Sequence, residues 1–505
     1  MPSPDSLAVG PTDGTTAGST AAARLAYEQD TALEAGAEFL RLTADYLAAT
    51  RAGEGPVSTG LDSAALDARF DEPLPREGRP LEEIAARLAR DVVADANRLM
   101  HPMYLGHQVS APLPAAVWAE PLVAALNQSL AVREMSPTAT AVEQRLVRWM
   151  CELLGYGPAA GGTLTSGGTE ATFTALLAAR AAALPDAWEQ GVGPNPPVVV
   201  CGEHAHYAVT RAVAELGLGT RRAIAVPSRE WRMDTDALRA TLDDLARAGT
   251  PVMAVVATAG STATGAFDDL ETIGRLCDAR GLWLHVDGAH GASALLSETQ
   301  RDRLRGIERA RSVAWDAHKM MLLPLSAGML LVRDERDLDA AFAQRAPYLF
   351  HAGPAGRVVD QGVRSFLCSR RADVLKVWVA LQRYGADGIG ALYDYLCGLA
   401  ATLHARLEAR ADFEAIHAPA SNILCFRWRG PHAPDDPRLD ALNLALRERY
   451  NRSGAGWITT TLLGGRRVLR VTIMNPRTTP AHLDRLLDGL SAEGRALLSE
   501  GGGVT

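Results

Sequence analysis

The sequence predicts an α/β fold whose centre is a mostly parallel β-sheet. Short apolar runs at residues 252–258, 282–287 and 312–315 are typical of strands that are buried on both faces. Segments with apolar residues three and four positions apart, such as 138–154, predict helices. Strands that alternate with helices favour parallel pairing, and sheets of this kind bind their ligands at the carboxyl ends of the strands.

Composition and periodicity divide the chain into four regions. Residues 1–20 are rich in Ser, Thr, Gly and Pro, which predicts a disordered tail without the layout of a secretory signal. Residues 21–100 have helical periodicity that a Gly/Pro-broken segment interrupts. Residues 101–387 contain the predicted sheet and are expected to form the large domain. From residue 388 onward, helices and a returning pair of strands predict a small α+β domain.

The overall composition argues against several functional classes. A chain of 505 residues with 47% apolar content can fill a large core, and its formal net charge of −8 gives no support for binding to nucleic acid or membrane surfaces. Six cysteines lie far apart without a C-x-x-C pair, so we expect buried free thiols in a cytoplasmic protein rather than a metal site or disulfides. No apolar run approaches the roughly 20 residues of a membrane span.

Two reactive side chains follow neighbouring predicted strands. Asp287 ends the run LWLHVD, and Lys319 follows the run SVAW within the segment DAHK. An amine and a carboxylate on neighbouring strand ends suit one cofactor, pyridoxal 5′-phosphate (PLP). Its aldehyde requires a lysine for a Schiff base, and its pyridine nitrogen requires an anionic partner.

The motif HVDGAHG followed by DAHK resembles the group II PLP-dependent amino-acid decarboxylases, which include aromatic-L-amino-acid, glutamate and diaminobutyrate decarboxylases. The usual form is HVDAA-x-G followed by NPHK or DPHK, so Gly288 and Ala317 are substitutions that touch no reacting group. The resemblance covers roughly residues 100–480. It implies PLP fold type I (aspartate-aminotransferase-like), with a mostly parallel seven-stranded sheet and a smaller C-terminal domain.

The resemblance also implies a set of cofactor-binding residues. A glycine-rich segment that leads into a helix suits a phosphate, because free N–H groups and the positive end of the helix dipole face outward there. By resemblance, His206 would stack on the pyridine ring and Ala289 would pack beneath it. The implied cofactor-binding residues are Gly168, Thr169, His206, Thr262, Asp287, Ala289, Asp316, His318 and Lys319.

Four residues are predicted to be catalytic: Lys319, Asp287, His206 and Tyr348. Tyr348 lies in a Gly/Pro-flanked stretch 29 residues after Lys319 (348 − 319 = 29), which matches the catalytic-loop tyrosine of the resembling family. That tyrosine returns a proton to Cα after CO2 has left. Tyr348 therefore favours formation of an amine over oxidative deamination to an aldehyde.

The predicted substrate pocket is polar. By resemblance, His107, Gln108, Ser110 and Ser129 stand at pocket positions where the aromatic decarboxylases carry bulkier or less polar residues, with Ser129 at a position that the neighbouring subunit contributes. A buried polar wall disfavours apolar side chains, whose binding would leave its hydrogen bonds unmade. We therefore expect an acidic or diamino substrate. In the resembling family the helical N-terminal region, here residues 21–100, wraps around the partner subunit, which implies a homodimer with its active site at the subunit interface.

Several alternatives stay open at this point. The substrate could instead be an aromatic or aliphatic amino acid. A PLP-dependent carbon–carbon lyase or a desulfurase would share the Asp and Lys pair, although both lack the segment that is His101-Pro102 here and the loop tyrosine. A third interpretation is an inactive homologue that acts as a scaffold. Retention of every reacting group argues against it.

Overall fold

The computed structural model describes residues 14–342, 360–432 and 437–501. Its helices are α1 (Gly14–Asp30), α2 (Leu33–Ala52), α3 (Ser63–Arg69), α4 (Leu81–Leu88), α5 (Pro114–Leu126), α6 (Pro137–Leu153), α7 (Gly168–Ala183), α8 (Ala187–Gln190), α9 (Ala208–Glu215), α10 (Thr235–Arg247), α11 (Leu270–Asp278), α12 (Arg336–Ala341), α13 (Val374–Glu408), α14 (Leu439–Arg452) and α15 (Pro480–Gly501). Its strands are β1 (Gly161–Thr165), β2 (Val198–Gly202), β3 (Ala223–Val226), β4 (Ser228–Arg229), β5 (Arg232–Met233), β6 (Val252–Thr258), β7 (Trp283–Asp287), β8 (Ser312–Asp316), β9 (Gly328–Val332), β10 (Phe413–Ala415), β11 (Ile423–Trp428), β12 (Thr459–Leu463) and β13 (Arg466–Thr472). None of the helices in this part of the chain combines the length and the apolar character that crossing a bilayer requires.

Seven strands form the central sheet in the order β1-β9-β8-β7-β6-β2-β3. Neighbouring strands from β8 to β3 pair in parallel, whereas β9 is antiparallel to both β8 and β1. The connection of residues 317–327 is too short for the crossover that a parallel partner of β8 would need. The predicted fold, a mostly parallel seven-stranded sheet of fold type I, is confirmed.

The central strands bury both of their faces. In β6, Ala254 and Val256 pack against α7 and α9 in one hydrophobic cluster. Val255 and Ala257 point the other way and pack with α11 and α13 in a second cluster. Full burial of a valine side chain contributes about 1.5–3 kcal/mol. Burial on both faces therefore explains why these strands are continuously apolar in sequence.

Three neighbouring strands end in polar residues at one edge of the sheet. Thr258 at the end of β6 is the register partner of Asp287 at the end of β7. Asp287 in turn pairs with Ala314, two residues before Asp316 ends β8. The sheet therefore brings these side chains together although they are far apart in sequence.

A second, antiparallel sheet has the strand order β10-β11-β13-β12, and α14 and α15 pack against it. Helix α13 connects the two sheets and contains a non-helical residue, Gly385, with φ 70° and ψ 164°. The predicted boundary between residues 387 and 388 lies close to this break. The assignment of separate large and small domains stays a prediction.

The structure differs from the sequence-based prediction at several elements. Helix α1 begins at Gly14, so residues 14–20 of the predicted disordered tail are helical, because the alanine run 21–23 favours a helix that extends toward the N-terminus. Helix α3 forms within the segment predicted to lack periodicity, and Asp62 caps it by accepting a hydrogen bond from the Ala65 N–H. The glycine-rich segment that leads into α7 was not predicted to contain a strand, but its residues 161–165 form β1 through pairing with β9.

Candidate active site

A cavity of about 310 Å³ lies where β6, β7 and β8 end and α7 begins. All nine residues that the sequence predicts to bind a cofactor line this cavity. They are Gly168, Thr169, His206, Thr262, Asp287, Ala289, Asp316, His318 and Lys319. Residues from five separate stretches of the chain, between positions 168 and 319, therefore meet at one place.

Lys319 is paired with Asp316 in the connection between β8 and β9. The distance from Lys319 Nζ to Asp316 Oδ2 is 3.2 Å, and Asp316 is only 1% exposed. His318 Nδ1 accepts a hydrogen bond of 3.0 Å from the Ala327 N–H. Burial lowers the pKa of His318, so its neutral ring carries the proton on Nε2, which lies 3.5 Å from Asp316 Oδ2. A cation and an imidazole N–H thus both face this carboxylate.

Asp287 ends strand β7 with its carboxylate toward the cavity. Its Oδ1 accepts a hydrogen bond of 3.2 Å from the Ala289 N–H, which fixes the carboxylate at the strand end. Beside it, Thr258 also lines the cavity, and its buried Oγ1 has no hydrogen-bond partner among the described residues. Burying an unpaired hydroxyl costs free energy, so a polar ligand here would be favoured.

His206 lies just before α9 and faces the same cavity. Its Nδ1 accepts a hydrogen bond of 3.3 Å from the Ala208 N–H. Burial lowers the pKa of His206, with opposing effects from Asp287 and Lys319. In the neutral ring the proton is therefore on Nε2. The ring of Tyr207 lies 4.2 Å from the His206 ring, centroid to centroid.

The start of α7 closes one side of the cavity. A Cβ atom added at Gly168 would lie 2.7 Å from the Ala289 Cβ and 3.2 Å from Asp316 Oδ2. Only glycine therefore lets the helix start come this close to the strand ends. The N–H groups of this first turn have no partners within the helix and can bind an anion.

Comparison with known proteins assigns the chain to a family. Residues 64–429 match the pyridoxal-dependent decarboxylase conserved domain. The chain belongs to the pyridoxal-dependent decarboxylases. The resemblance inferred from the HVDGAHG and DAHK motifs is confirmed.

Relatives with assigned activities cover most of this decarboxylase. It is 35% identical over 434 residues to the L-2,4-diaminobutyrate decarboxylase of Rhizobium meliloti (strain 1021), with 84% of each chain covered. It is 31% identical over 440 residues to the cysteine sulfinic acid decarboxylase of Rattus norvegicus, covering 85% of this chain and 89% of that one. The crystal structure of the glutamate decarboxylase domain of diaminobutyrate-pyruvate transaminase and L-2,4-diaminobutyrate decarboxylase from Vibrio parahaemolyticus has a TM-score of 0.81 at 29% identity, covering 91% of this chain and 96% of that chain.

The predicted cofactor, pyridoxal 5′-phosphate, is confirmed by membership of this family, and the cavity of the decarboxylase fits it. Lys319 supplies an amine, Asp287 a carboxylate, and the start of α7 a set of free N–H groups. The unpartnered Thr258 Oγ1 and the glycine cradle at Gly168 are further features that a polar ligand would satisfy.

The predicted substrate-binding residues do not line this cavity in the single chain. His107 is exposed, and Gln108 is half-buried with an Nε2 that has no hydrogen-bond partner among the described residues. Ser110 donates to the carbonyls of His318 at 3.1 Å and Leu323 at 3.4 Å, so it supports the segment that carries the lysine. The Ser129 hydroxyl accepts from the Ala131 N–H at 3.3 Å. Their roles toward substrate stay predictions. Tyr348 lies outside the described residues.

Two side chains near the cavity were not anticipated from the sequence. His290 lines the cavity, and its Nε2 lies 2.8 Å from Asn422 Oδ1. The Asn422 amide donates to the Ile473 carbonyl, so its oxygen faces His290 and accepts from Nε2. Burial lowers the pKa of His290 to about 3, which keeps the ring neutral. Its position within HVDGAHG is a sequence signal, whereas its partner is 132 residues away.

Arg470 on β13 is the other such residue. It is 6% exposed, and it donates to the Ala263 carbonyl and the Thr459 hydroxyl. Its Nη2 has no hydrogen-bond partner, and no described carboxylate forms an ion pair with it. Its charge contributes to the lowered pKa values of His107 and His290, so it lies near both. A buried guanidinium without an anion is a candidate site for a carboxylate.

Proposed function

We propose that this enzyme removes the α-carboxylate of an L-amino acid with a polar side chain, which releases CO2 and the corresponding amine. The observation that carries the proposal is the convergence of Lys319, Asp287 and the start of α7 on one cavity. When bound, pyridoxal 5′-phosphate supplies an electron sink for the electron pair that the departing carboxylate leaves. The chain has to hold this group, orient the scissile bond, keep a proton on the pyridine nitrogen and deliver a proton to Cα.

Lys319 is proposed as the covalent attachment point and Asp287 as the anion that keeps a proton on the pyridine nitrogen. The hydrogen bond from the Ala289 N–H holds the Asp287 carboxylate at the end of β7. Since β7 is buried between β6 and β8, this carboxylate has little freedom to move. A fixed anion stabilises the protonated ring without reorganisation during the reaction.

His206 and Tyr348 are proposed to act on the proton at Cα. The Ala208 N–H occupies Nδ1 of His206, so the proton of the neutral ring is on Nε2 and can be donated. Tyr348 is proposed from its spacing to Lys319 as the group that completes proton return to Cα. A proton supplied there yields the amine as product.

The proposed substrate side chain is polar. Arg470 supports this proposal as a buried cation without a carboxylate partner in the described chain, near His107. It would neutralise a carboxylate of the substrate. Relatives that act on diaminobutyrate and on cysteine sulfinate also support a polar side chain, either diamino or acidic.

The test is the release of CO2 and amine across a panel of L-amino acids. We expect kcat/KM for 2,4-diaminobutyrate or for one of glutamate, aspartate and cysteine sulfinate to exceed that for tyrosine, tryptophan and DOPA by about tenfold or more, a difference of about 1.4 kcal/mol. Lys319→Ala is the inactive control, and borohydride reduction should attach the cofactor to Lys319 alone. A preference for aromatic substrates would refute the polar pocket, and labelling of another lysine would refute the assigned attachment point.

We further propose a homodimer in which each active site lies at the subunit interface. On α5, Trp118, Leu122 and Leu126 are 44%, 59% and 45% exposed, and their spacing of four places them on one face. Exposed apolar faces of this kind usually mark contacts with a partner. Sedimentation should give the mass of a dimer, and Leu122→Glu should shift it toward the monomer with loss of activity. A fully active monomer would exclude the shared site.

A cytoplasmic location is proposed from the cysteines. All six are free, and five of them are buried. Free thiols persist in a reducing compartment. Fractionation of the source cells should recover the activity with cytoplasmic markers, and recovery with a membrane or secreted fraction would contradict this proposal.

A further inference from the structure

Asp316 places a carboxylate at the position where an anion is expected to bind. An added Cβ at Gly168 would lie 3.2 Å from its Oδ2, so the carboxylate lies against the first turn of α7. Its other oxygen, Oδ1, is buried and accepts no hydrogen bond from the described residues. The sites for a phosphate and for this carboxylate are therefore adjacent.

The charged groups around Asp316 do not neutralise both its carboxylate and a phosphate bound beside it. Lys319 Nζ is the cation in contact with it, at 3.2 Å. His318 faces it as a neutral ring. The other ionisable groups around the site belong to neighbouring elements. They are Asp287 at the end of β7, His206 before α9, Glu170 in the first turn of α7, and Lys376 of α13, whose charge is felt at His318.

A dianionic phosphate at the start of α7 would meet this carboxylate at close range. Two negative charges at close range in a buried site repel each other, because little solvent screens them. Among the described residues, Lys319 is the cation that contacts Asp316. The proposed chemistry also uses its amine to bind the cofactor aldehyde.

We propose that Asp316 and the cofactor phosphate share one proton, which is held between the Asp316 carboxylate and a phosphate oxygen when the cofactor is bound. This inference rests on the proposed cofactor site. The step is an acid–base one: a proton from solvent or from the Lys319 ammonium adds to the carboxylate, and no bond between heavy atoms changes. The resulting O–H donates a hydrogen bond where two anions would otherwise repel, so Asp316 acts as a positioning residue for the phosphate.

The test compares the wild type with Asp316→Asn, whose amide donates a hydrogen bond without taking up a proton. Pyridoxal 5′-phosphate is titrated into each apoenzyme by calorimetry in two buffers that differ in ionisation enthalpy. We expect the wild type to take up about one proton more than the variant, whether the proton comes from solvent or from Lys319. Asp236→Asn, at a 69%-exposed side chain of α10, is the matched control and should behave like the wild type.

A second readout is the phosphorus NMR signal of the bound cofactor. We expect its chemical shift to differ between the wild type and Asp316→Asn, with the wild-type signal displaced toward that of a protonated phosphate. Equal proton uptake together with equal chemical shifts would overturn the inference. If Asp316→Asn fails to fold, Asp316→Ser provides the same comparison without a carboxylate. Failure of the proposed function would look different, because no cofactor would then bind and no CO2 would be released.

Discussion

Arg370 donates two hydrogen bonds of 2.7 Å to the two carboxylate oxygens of Glu143, and the side chains of the pair are only 6% and 0% exposed. Glu143 also accepts from the Leu164 N–H in β1, the strand that leads to the start of α7. Because removal of one partner leaves a buried unpaired charge, Arg370→Met should lower the free energy of unfolding by about 3–5 kcal/mol.

Chemical denaturation measures this change. The double variant Glu143→Gln/Arg370→Met should be more stable than Arg370→Met, because it contains no unpaired charge. The surface pair of Arg239 and Asp236 is the control, since both side chains are about half or more exposed. Arg239→Met should change stability by about 1 kcal/mol or less. Equal losses for Arg370→Met and Arg239→Met would argue against a structural role for the buried pair.

His285 should make stability depend on pH. Burial lowers its pKa to about 4, from an ordinary value near 6.5. Between these values the unfolded chain binds a proton that the folded chain excludes, so this stability is complete above pH 6.5 and is lost as the pH falls toward 4. At about 1.4 kcal/mol per pH unit, the loss is on the order of 3 kcal/mol over the window.

Denaturation curves at pH 7, 6 and 5 measure this effect. His285→Gln should flatten the decline relative to the wild type, whatever its stability at pH 7. A variant that declines as steeply as the wild type would assign the acid sensitivity to other groups, of which buried His290 is the first candidate.

Gly168→Ala should weaken cofactor binding. The new methyl group would have to displace Ala289 or the start of α7, and such overpacking costs about 1–3 kcal/mol. If this cost falls on the cofactor site, the affinity drops by about 5- to 150-fold. Gly398→Ala in α13 is the control, because no atom lies within 4 Å of the added Cβ. That variant should keep cofactor affinity and gain about 0.5–1 kcal/mol in stability. Equal cofactor affinities, measured by spectroscopic titration, would contradict the close approach at Gly168.

Ser110→Ala and Ser129→Ala should separate structural support from substrate contact. The Ser110 hydroxyl donates to the carbonyls of His318 and Leu323. Removal of this hydroxyl should therefore destabilise the enzyme by about 1–2 kcal/mol and leave substrate preference unchanged. Ser129→Ala should instead raise KM for the preferred substrate, if the proposed dimer brings this residue to the partner's site. Thermal unfolding and kcat/KM ratios across the amino-acid panel measure both effects. If Ser110→Ala changes the preference among amino-acid substrates, Ser110 contacts the substrate, as the sequence predicts.

The central sheet could be predicted from sequence because its signals are local. β6, β7 and β8 are each an apolar run that ends in a polar residue, and the motif order places Asp287 and Lys319 at neighbouring strand ends. Strand β1 was not predicted, because GGTLT becomes a strand only through its pairing with β9, more than 160 residues later. Thr258 is not among the predicted cofactor-binding residues, and only the register with Asp287 reveals its place at the cavity.

Other parts of the site depend on contacts that no local pattern contains. The hydrogen bond from Ser110 to His318 spans 208 residues, and the one between His290 and Asn422 spans 132. Arg470 looks like an ordinary charged residue of a strand, and only burial without a carboxylate distinguishes it. The chemistry of single motifs could be predicted from sequence, whereas the support that distant segments give them could not.

The bond between His290 and Asn422 means that the C-terminal sheet is not a detachable module. A fragment ending after α13 would lose the Asn422 amide that fixes the tautomer of His290. The imidazole beside the cavity would then have no hydrogen-bond acceptor for its Nε2–H. Minimal catalytic fragments should therefore retain β11. In chimeras that exchange C-terminal segments between relatives, the new segment would also replace the hydrogen-bond partner of His290 at the cavity wall.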